Sequence, residues 1–145
     1  MNAAGAFLIV VGLDGSEQSL SALQWAVEEA RLRHGNVRVI TAWHYPPVPS
    51  TIEDSGLNDS FHAAEHIQAN ALKTVSGDGV DIAGQVIRGS PAPALLDAAK
   101  DADLLIVGSR GQGGFAGLNL GSVSAQVSHH ALCPVLIVRP GMRTV

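Results

Sequence analysis

The residues with the clearest chemical potential lie in a glycine-rich segment. It reads Gly108-Ser109-Arg110-Gly111, then nine residues that include Gly113, then Gly121-Ser122-Val123-Ser124 at the start of a predicted helix. Glycines let backbone N–H groups approach phosphate oxygens, and a helix N-terminus offers unpaired N–H groups and a positive dipole end. The segment therefore predicts a polyphosphate site, to which Ser122 and Ser124 add hydroxyl donors. A flexible connector without a ligand is the alternative, although loops this long in compact domains tend to be functional.

Two charged residues stand where they could join such a site. Asp14 follows the first apolar run, in Gly12-Leu13-Asp14-Gly15-Ser16. A carboxylate at the end of a parallel strand is an acceptor aimed at the ligand crevice, for a ribose hydroxyl or a metal ion. It could also satisfy the first amides of the following helix. Arg110 is the only cation of the glycine-rich segment and could either grip phosphate oxygens or stay in solvent.

The elements that must position these residues alternate between strand and helix. The first apolar run, 7–11, is continuous, which is typical of a strand buried on both faces of a parallel sheet. In a chain of this size, the alternation predicts an α/β fold with a doubly wound parallel sheet and helices on both faces. The predicted strands are 7–11, 37–43, 80–87, 103–107 and 134–138, and the predicted helices are 16–34, 60–75, 90–99 and 122–132. Gly35-Asn36 is expected to stop the first helix, prolines predict an exposed loop up to about Gly56, and Ser90-Pro91 supplies a cap and a first-turn proline for the third helix.

The strand order follows from where the glycines fall. Only the first and fourth strands end in glycine-rich loops that carry polar groups. Because ligands bind where the winding direction of such a sheet reverses, these two strands are expected side by side at the centre. The predicted order is therefore 3-2-1-4-5.

Composition limits the classes of function. The 145 residues are 46% hydrophobic and 15% charged, which predicts one domain over 1–145. The net charge is −4 and the nine cations are scattered, so nucleic acid and anionic membranes are not expected partners. A single cysteine, Cys133, cannot form an intrachain disulfide, and the apolar start lacks the basic residues of a leader. We therefore expect a cytoplasmic location.

Other motifs of catalysis are absent or incomplete. No Gly-Lys-Ser or Gly-Lys-Thr sequence occurs, and Lys73 and Lys100 lie outside both glycine-rich loops, so fast triphosphate hydrolysis is not expected. His62 and His66 match an inverted metalloprotease motif, but no glutamate follows Glu65 to complete it. We interpret these histidines as part of a solvated helix face.

The spacing G-x2-G-x9-G-S, the Asp14 that ends Val10-Val11-Gly12-Leu13-Asp14, and the ending Cys133-Pro134-Val135-Leu136-Ile137-Val138 together resemble the universal stress protein family. The resemblance spans nearly the whole chain and points to the ATP-binding branch with an adenine-nucleotide alpha hydrolase-like fold. It implies that phosphates and ribose lie at Gly108, Gly111, Gly121, Ser122 and Val123, that Asp14 faces ribose and adenine, that backbone near Ala42 and Trp43 meets the adenine ring, and that Val107 meets its apolar face.

The fifth strand predicts an assembly. Val135, Leu136, Ile137 and Val138 would form an uncharged, apolar sheet edge, which invites aggregation if left bare. The simplest cover is the same strand of a second copy across a two-fold axis, and the family resemblance also implies such a homodimer. Burial under the tail 140–145 is the alternative, but the tail looks too short.

These observations lead to a leading hypothesis and two rivals. The leading hypothesis is an ATP-binding sensor or regulator in stress or dormancy responses, which uses the nucleotide as a conformational signal. The first rival is a slow ATPase or self-phosphorylating protein, in which Asp14 holds magnesium and Ser122 or Ser124 accepts phosphate. The second is a dimeric interaction module whose glycine loop binds nothing.

Overall fold

Five strands alternate with four helices along the chain. The computed structural model describes residues 5–44, 54–75, 77–110 and 120–141. The strands are β1 (Leu8–Gly12), β2 (Asn36–Trp43), β3 (Asp81–Arg88), β4 (Leu104–Gly108) and β5 (Val135–Val138). The helices are α1 (Glu17–Arg33), α2 (Asp54–Leu72), α3 (Pro91–Ala98) and α4 (Ser122–His130).

The strands form one parallel sheet in the order β3-β2-β1-β4-β5. The predicted fold class and strand order are confirmed. β1 pairs with β2 through Leu8 opposite Asn36 and with β4 through Ile9 opposite Leu104. The winding direction therefore reverses between β1 and β4, and the loops that follow these two strands emerge at the same edge of the sheet.

The two faces of the sheet carry separate apolar layers. On one face, α1 and the end of α2 pack against Ile9, Val11 and Ile106. On the other, α3 and α4 pack against Val10 and Leu105. Successive strand residues point to opposite faces, which explains why β1 is apolar at every position from Leu8 to Val11. No helix in the described parts of the chain is long and apolar enough to cross a membrane.

Helix α1 ends at Arg33, just before the stop that the sequence predicts at Gly35-Asn36, and its left-handed C-cap is His34, with φ of 55°. Gly35 serves a different purpose, because a Cβ there would lie only 2.2 Å from the carbonyl oxygen of Phe7. The glycine therefore permits a close approach between the start of β2 and the residue before β1.

The start of α2 corrects a boundary. The sequence pattern placed it near Ser60, whereas the helix begins at Asp54. Gly56 was interpreted as part of the loop but lies in the first turn of the helix, where one glycine costs about 1 kcal/mol at most. The end of α2, at Leu72, lies three residues before the predicted one, and every other boundary agrees with its prediction to within two residues.

Candidate functional site

A cleft opens at the carboxyl edge of the sheet, between β1 and β4. The cavity measures about 90 Å³, and about 550 Å³ when the open space at its mouth is included. Its lining comes from the ends of β1, β2 and β4 and from the first turns of helices. The lining residues are Gly12, Leu13, Asp14, Ser16, Ser19, Ile40, Ala42, Pro91, Leu95, Val107, Gly108, Arg110 and Val123.

One side of the cleft is apolar. Ile40, Leu95 and Val107 are almost wholly buried and belong to the apolar layer beneath α3 and α4. Gly12 lies beside them without a side chain, and a Cβ at this position would press on Leu95 Cδ1 at 3.0 Å. This wall can receive a flat apolar group, and its shape depends on the packing of α3 against β1.

The other side is polar and begins with the turn between β1 and α1. Asp14 Oδ1 accepts a hydrogen bond from the backbone N–H of Ser16 at 2.9 Å. Ser16 is the N-cap of α1, and its hydroxyl oxygen accepts from the N–H of Ser19. The alternative role of Asp14 in satisfying amides near the helix start is therefore observed, and Ser16 is the capping residue itself. The carboxylate of Asp14 nevertheless lines the cleft.

The two ends of the glycine-rich segment are tied to each other. The carbonyl oxygen of Ser109 accepts hydrogen bonds from the Gly121 N–H at 2.7 Å and from the Ser124 hydroxyl at 2.6 Å. Gly121 is the N-cap of α4, so these bonds hold the helix N-terminus against the end of β4. A Cβ on Gly121 would lie 3.2 Å from Arg110 Cα and 3.3 Å from the Ser109 oxygen, so a side chain there would displace these backbone atoms by a few tenths of an ångström.

Most of the predicted site residues that the structure describes line the cleft. Trp43 does not; its ring makes an edge contact with Phe61 on α2, and its carbonyl accepts from Gly89 N–H. Ser122 is exposed at the start of α4, whereas Ser124 is 1% exposed. Gly111 and Gly113 lie outside the described residues. The predicted residues that line the cleft are Gly12, Asp14, Ala42, Val107, Gly108, Arg110 and Val123.

Six lining residues are not among the predicted site residues: Leu13, Ser16, Ser19, Ile40, Pro91 and Leu95. Ile40 precedes Ala42 by two positions and so faces the same side of β2, a signal that period-two spacing offered. Pro91 and Leu95 lie on α3, and only the packing of that helix brings them to the cleft.

 Leu13 and Ser16 lie in the same turn as Asp14, and Ser19 follows them in α1. The Ser19 hydroxyl donates to the Ser16 carbonyl at 2.8 Å, an interaction typical of a first helical turn.

Metal and thiol chemistry find limited support. Among the described residues, no three His, Cys, Asp or Glu side chains are grouped to hold a metal ion. His62 Nδ1 lies 3.1 Å from Glu65 Oε1 on the same exposed helix face, in keeping with the interpretation from sequence. Burial raises the pKa of the Cys133 thiol, so this residue is a poor nucleophile. Asp14 is the carboxylate of the cleft, and one carboxylate suits a magnesium ion that also has phosphate ligands.

Together, the open parallel sheet, the cleft at its switch point and the helix N-termini at that cleft define a doubly wound α/β ligand-binding domain. Comparison with known proteins makes this more specific. The family model described as the universal stress protein family matches residues 8–139. The chain therefore belongs to the universal stress protein family.

Three similar proteins illustrate the relationship. A universal stress protein of Mycolicibacterium smegmatis is 35% identical over 136 residues, which cover 91% of this chain and 45% of that protein. The structure of universal stress protein UspA from Lactobacillus plantarum has a TM-score of 0.80 at 21% identity, covering 92% of this chain and 98% of that one. A universal stress protein solved in complex with cAMP has a TM-score of 0.61 at 30% identity, covering 92% and 97%. The chain spans about half the length of the mycobacterial relatives that it matches.

Proposed function

We propose that this chain binds ATP, with magnesium, in the cleft between β1 and β4, and that it acts as a nucleotide-dependent regulator in stress or dormancy responses. The observation that carries the proposal is the pairing of an apolar wall with a helix N-terminus in one cleft. An adenine ring needs the first and a phosphate chain needs the second. The 30% identical relative solved with cAMP supports the choice of an adenine nucleotide.

The phosphate end of the ligand is assigned to the start of α4. Val123 lines the cleft from the first turn of this helix, whose N-cap is Gly121. The first N–H groups of a helix lack partners within the helix and attract anions. Arg110 lines the same part of the cleft and supplies a positive charge. We assign phosphate contacts to Gly111 and Ser122 by the family resemblance, and to Gly113 as a further glycine of the same segment.

The adenine end is assigned to the apolar wall. Ile40 and Ala42 line it from β2, and Val107 lines it from β4. Asp14 lies across the cleft on the β1–α1 turn, where its carboxylate can accept from a ribose hydroxyl or reach a phosphate-bound magnesium ion. The backbone around Ala42 and Trp43 remains the proposed partner of the adenine ring edge.

Released ligand and calorimetry test this proposal. Mass spectrometry of small molecules from denatured protein is expected to show an adenine nucleotide, and ATP titration of nucleotide-free protein is expected to release heat. Gly121→Ala is expected to abolish that heat, because the added Cβ would press on Arg110 and Ser109 at the phosphate end. Gly77→Ala is the matched control, since its Cβ would meet nothing closer than 3.4 Å. No heat from the wild-type protein overturns the proposal and favours the interaction module.

Slow hydrolysis is a separate outcome at the same site. We expect ATP to remain intact over hours when it is incubated with the protein and magnesium. Product that accumulates in the wild-type protein and disappears in Asp14→Ala protein contradicts this expectation and favours the slow ATPase or self-phosphorylating protein. Phosphate on Ser122 or Ser124, located by peptide mass spectrometry, would distinguish these two enzymes.

The same proposal includes a homodimer through β5, in the cytoplasm. The Pro134 carbonyl accepts a hydrogen bond from the Leu105 N–H, and the Val138 carbonyl accepts one from the N–H of Ser109, just after β4. Because backbone groups alternate in direction along a strand, those of Val135 and Ile137 point away from β4, at the edge of the sheet. Leu132, just before this strand, is 88% exposed. An antiparallel pair of β5 strands would satisfy the edge and cover this leucine.

Sedimentation equilibrium tests the homodimer. The wild-type protein is expected to have the mass of two chains, and Leu132→Lys to shift the equilibrium toward one chain because two like charges would meet near the two-fold axis. Leu32→Lys is the matched control, since Leu32 is 68% exposed on α1 and remote from β5. A monomeric wild-type protein contradicts the assembly, as does equal dimerisation of all three proteins.

A further inference from the structure

The half-buried side chain of Gln18, in the first turn of α1, contacts the other cleft loop. Its Oε1 accepts a hydrogen bond from the Ser109 hydroxyl at 2.6 Å and a second from the Arg110 N–H at 3.1 Å. Gln18 is not among the residues that line the cleft. One acceptor atom on α1 therefore holds two consecutive residues at the start of the glycine-rich segment.

Ser109 connects Gln18 to the helix that is proposed to receive the phosphates. Its hydroxyl donates to Gln18, and its carbonyl accepts from Gly121 and from Ser124. Its N–H donates to the Val138 carbonyl at 2.8 Å. Ser109 is only 2% exposed, so each of these groups needs a protein partner, and all of them have one.

The backbone of β4 is shaped to allow this contact. A Cβ on Gly108 would lie 2.9 Å from Gln18 Cβ and 3.3 Å from the Gln18 carbonyl carbon. A side chain at position 108 would thus push α1 away from the end of β4. The glycine that the sequence pattern assigns to phosphate binding also brings Gln18 within hydrogen-bonding distance of Ser109.

We propose that Gln18 is a positioning residue for the phosphate-binding part of the cleft. It fixes Ser109 and Arg110, and through the Ser109 carbonyl it fixes Gly121 and the first turn of α4. A preorganised set of N–H donors binds an anion more tightly than one that must be ordered on binding. The inference rests on the proposed function, because it assumes a phosphate-bearing ligand.

The position of the contact predicts a selective effect. Gln18 acts on the ends of the glycine-rich segment, whereas the apolar wall is formed by Ile40, Leu95 and Val107 on other elements. Loss of the Gln18 acceptor is therefore expected to weaken the binding of ATP and to leave the binding of adenosine unchanged. A general loss of packing would weaken both.

Three variants test this inference by calorimetric titration with ATP and with adenosine. Gln18→Leu keeps the approximate size but removes the acceptor, and ATP affinity is expected to fall about tenfold, as for the loss of one good hydrogen bond. Gln18→Glu keeps an acceptor oxygen and is expected to restore more than half of the lost binding free energy. Gln24→Leu makes the same change at an exposed position of α1 and is expected to bind as the wild type does.

Hydrogen exchange adds a readout that needs no ligand. In the Gln18→Leu protein, the amides of Arg110 and Gly121 are expected to exchange faster than in the wild type, while the amides of β1 are unchanged. Wild-type protein that binds no ATP overturns the proposed function and this inference together. Wild-type protein that binds ATP, beside Gln18→Leu protein that binds it equally well or loses adenosine in parallel, overturns this inference alone.

Discussion

The two loops at the cleft are held by opposite means. In the β1–α1 turn, the side-chain hydrogen bonds of Asp14, Ser16 and Ser19 join residues no more than five positions apart. In the β4–α4 segment, Ser109 is bonded to Gln18 across 91 positions and to Ser124 across 15. The side-chain bonds of the first loop are therefore local in sequence, although its Leu13 N–H also donates to the Ile40 carbonyl at 2.9 Å. The described ends of the second loop are held by contacts that only the assembled fold provides.

This difference affects how the cleft would present its two kinds of ligand-binding group, the Asp14 carboxylate and the N–H donors for phosphate. A locally closed turn can present Asp14 at a fixed place as soon as α1 forms. The N–H donors at the described ends of the glycine-rich segment are brought together only when α1, β4 and α4 have packed. We therefore expect damage to the second loop to cost more stability and more phosphate affinity than damage to the first.

The largest effect is expected for Gly108→Ala. The new Cβ would overlap the Gln18 backbone and side chain, which separates α1 from the end of β4. We expect the free energy of unfolding to fall by about 2 kcal/mol, as for an overpacked interior site. Urea denaturation measures this change, and Gly77→Ala, where the nearest atom would be 3.4 Å away, serves as the control. Equal stability of both variants would show that the approach of α1 is not tight.

The next effect is expected for Ser124→Ala. The hydroxyl is buried and donates to the Ser109 carbonyl at 2.6 Å, so its loss is expected to lower the free energy of unfolding by about 1.5 kcal/mol. The Ser109 oxygen keeps the Gly121 N–H as a donor. Urea denaturation again gives the measurement.

Ser122→Ala is the matched control for Ser124→Ala, because Ser122 is exposed two positions earlier in the same helix. Its stability is expected to stay within about 0.5 kcal/mol of the wild type. If Ser122 donates to a phosphate, as the sequence predicts, Ser122→Ala loses more ATP affinity than Ser124→Ala does, although it loses less stability. A larger stability loss in Ser122→Ala than in Ser124→Ala would contradict the assigned roles.

A smaller effect is expected for Ser16→Ala in the locally closed turn. The hydroxyl oxygen accepts from the Ser19 N–H as the N-cap of α1. Its removal is expected to lower the free energy of unfolding by about 1 kcal/mol, the usual cost of a lost N-cap. Thermal or urea denaturation measures it, and Ser21→Ala in the interior of α1 is the control, expected within about 0.5 kcal/mol of the wild type. A loss as large as that of Gly108→Ala would remove the distinction between the two loops.

The same distinction explains what the sequence could predict. The alternation of strands and helices, the order of the strands and the place of the cleft are all set by local periodicity and by where glycines and polar residues fall. Gly12 and Asp14 are predicted from the sequence itself and Val123 from the family resemblance, and all three line the cleft. The link between Gln18 and Ser109 had no sequence signal, because it joins residues that only the packing of α1 on β4 brings together.

The boundaries and roles that the sequence did not predict have the same origin. The stop predicted at Gly35-Asn36 agrees with the end of α1 at Arg33, but the close approach of the Phe7 carbonyl to Gly35 is a contact between distant elements that no local pattern reveals. Gly56 was interpreted as a loop residue, although the first turn of α2 includes it. Ser90 was expected to cap α3 through its side chain; it occupies the N-cap position without a side-chain capping bond.

The smallest effect on stability is expected for Asp14→Asn, which sharpens the comparison by separating charge from local structure. An asparagine can still accept from the Ser16 N–H, so the turn is preserved and the free energy of unfolding is expected to change by less than about 0.5 kcal/mol. The amide cannot balance the charge of magnesium. We therefore expect the gain in ATP affinity that magnesium gives the wild-type protein to disappear.

Calorimetric titration with ATP, in the presence and absence of magnesium, measures this loss. Asp78→Asn makes the same change in net charge in the exposed turn before β3 and controls for long-range electrostatics. A magnesium effect that survives in Asp14→Asn would mean that the metal is held by the phosphates and water alone. Asp14 would then serve only the turn and the ribose, and binding of the phosphates and their magnesium ion would involve the second loop but not the first.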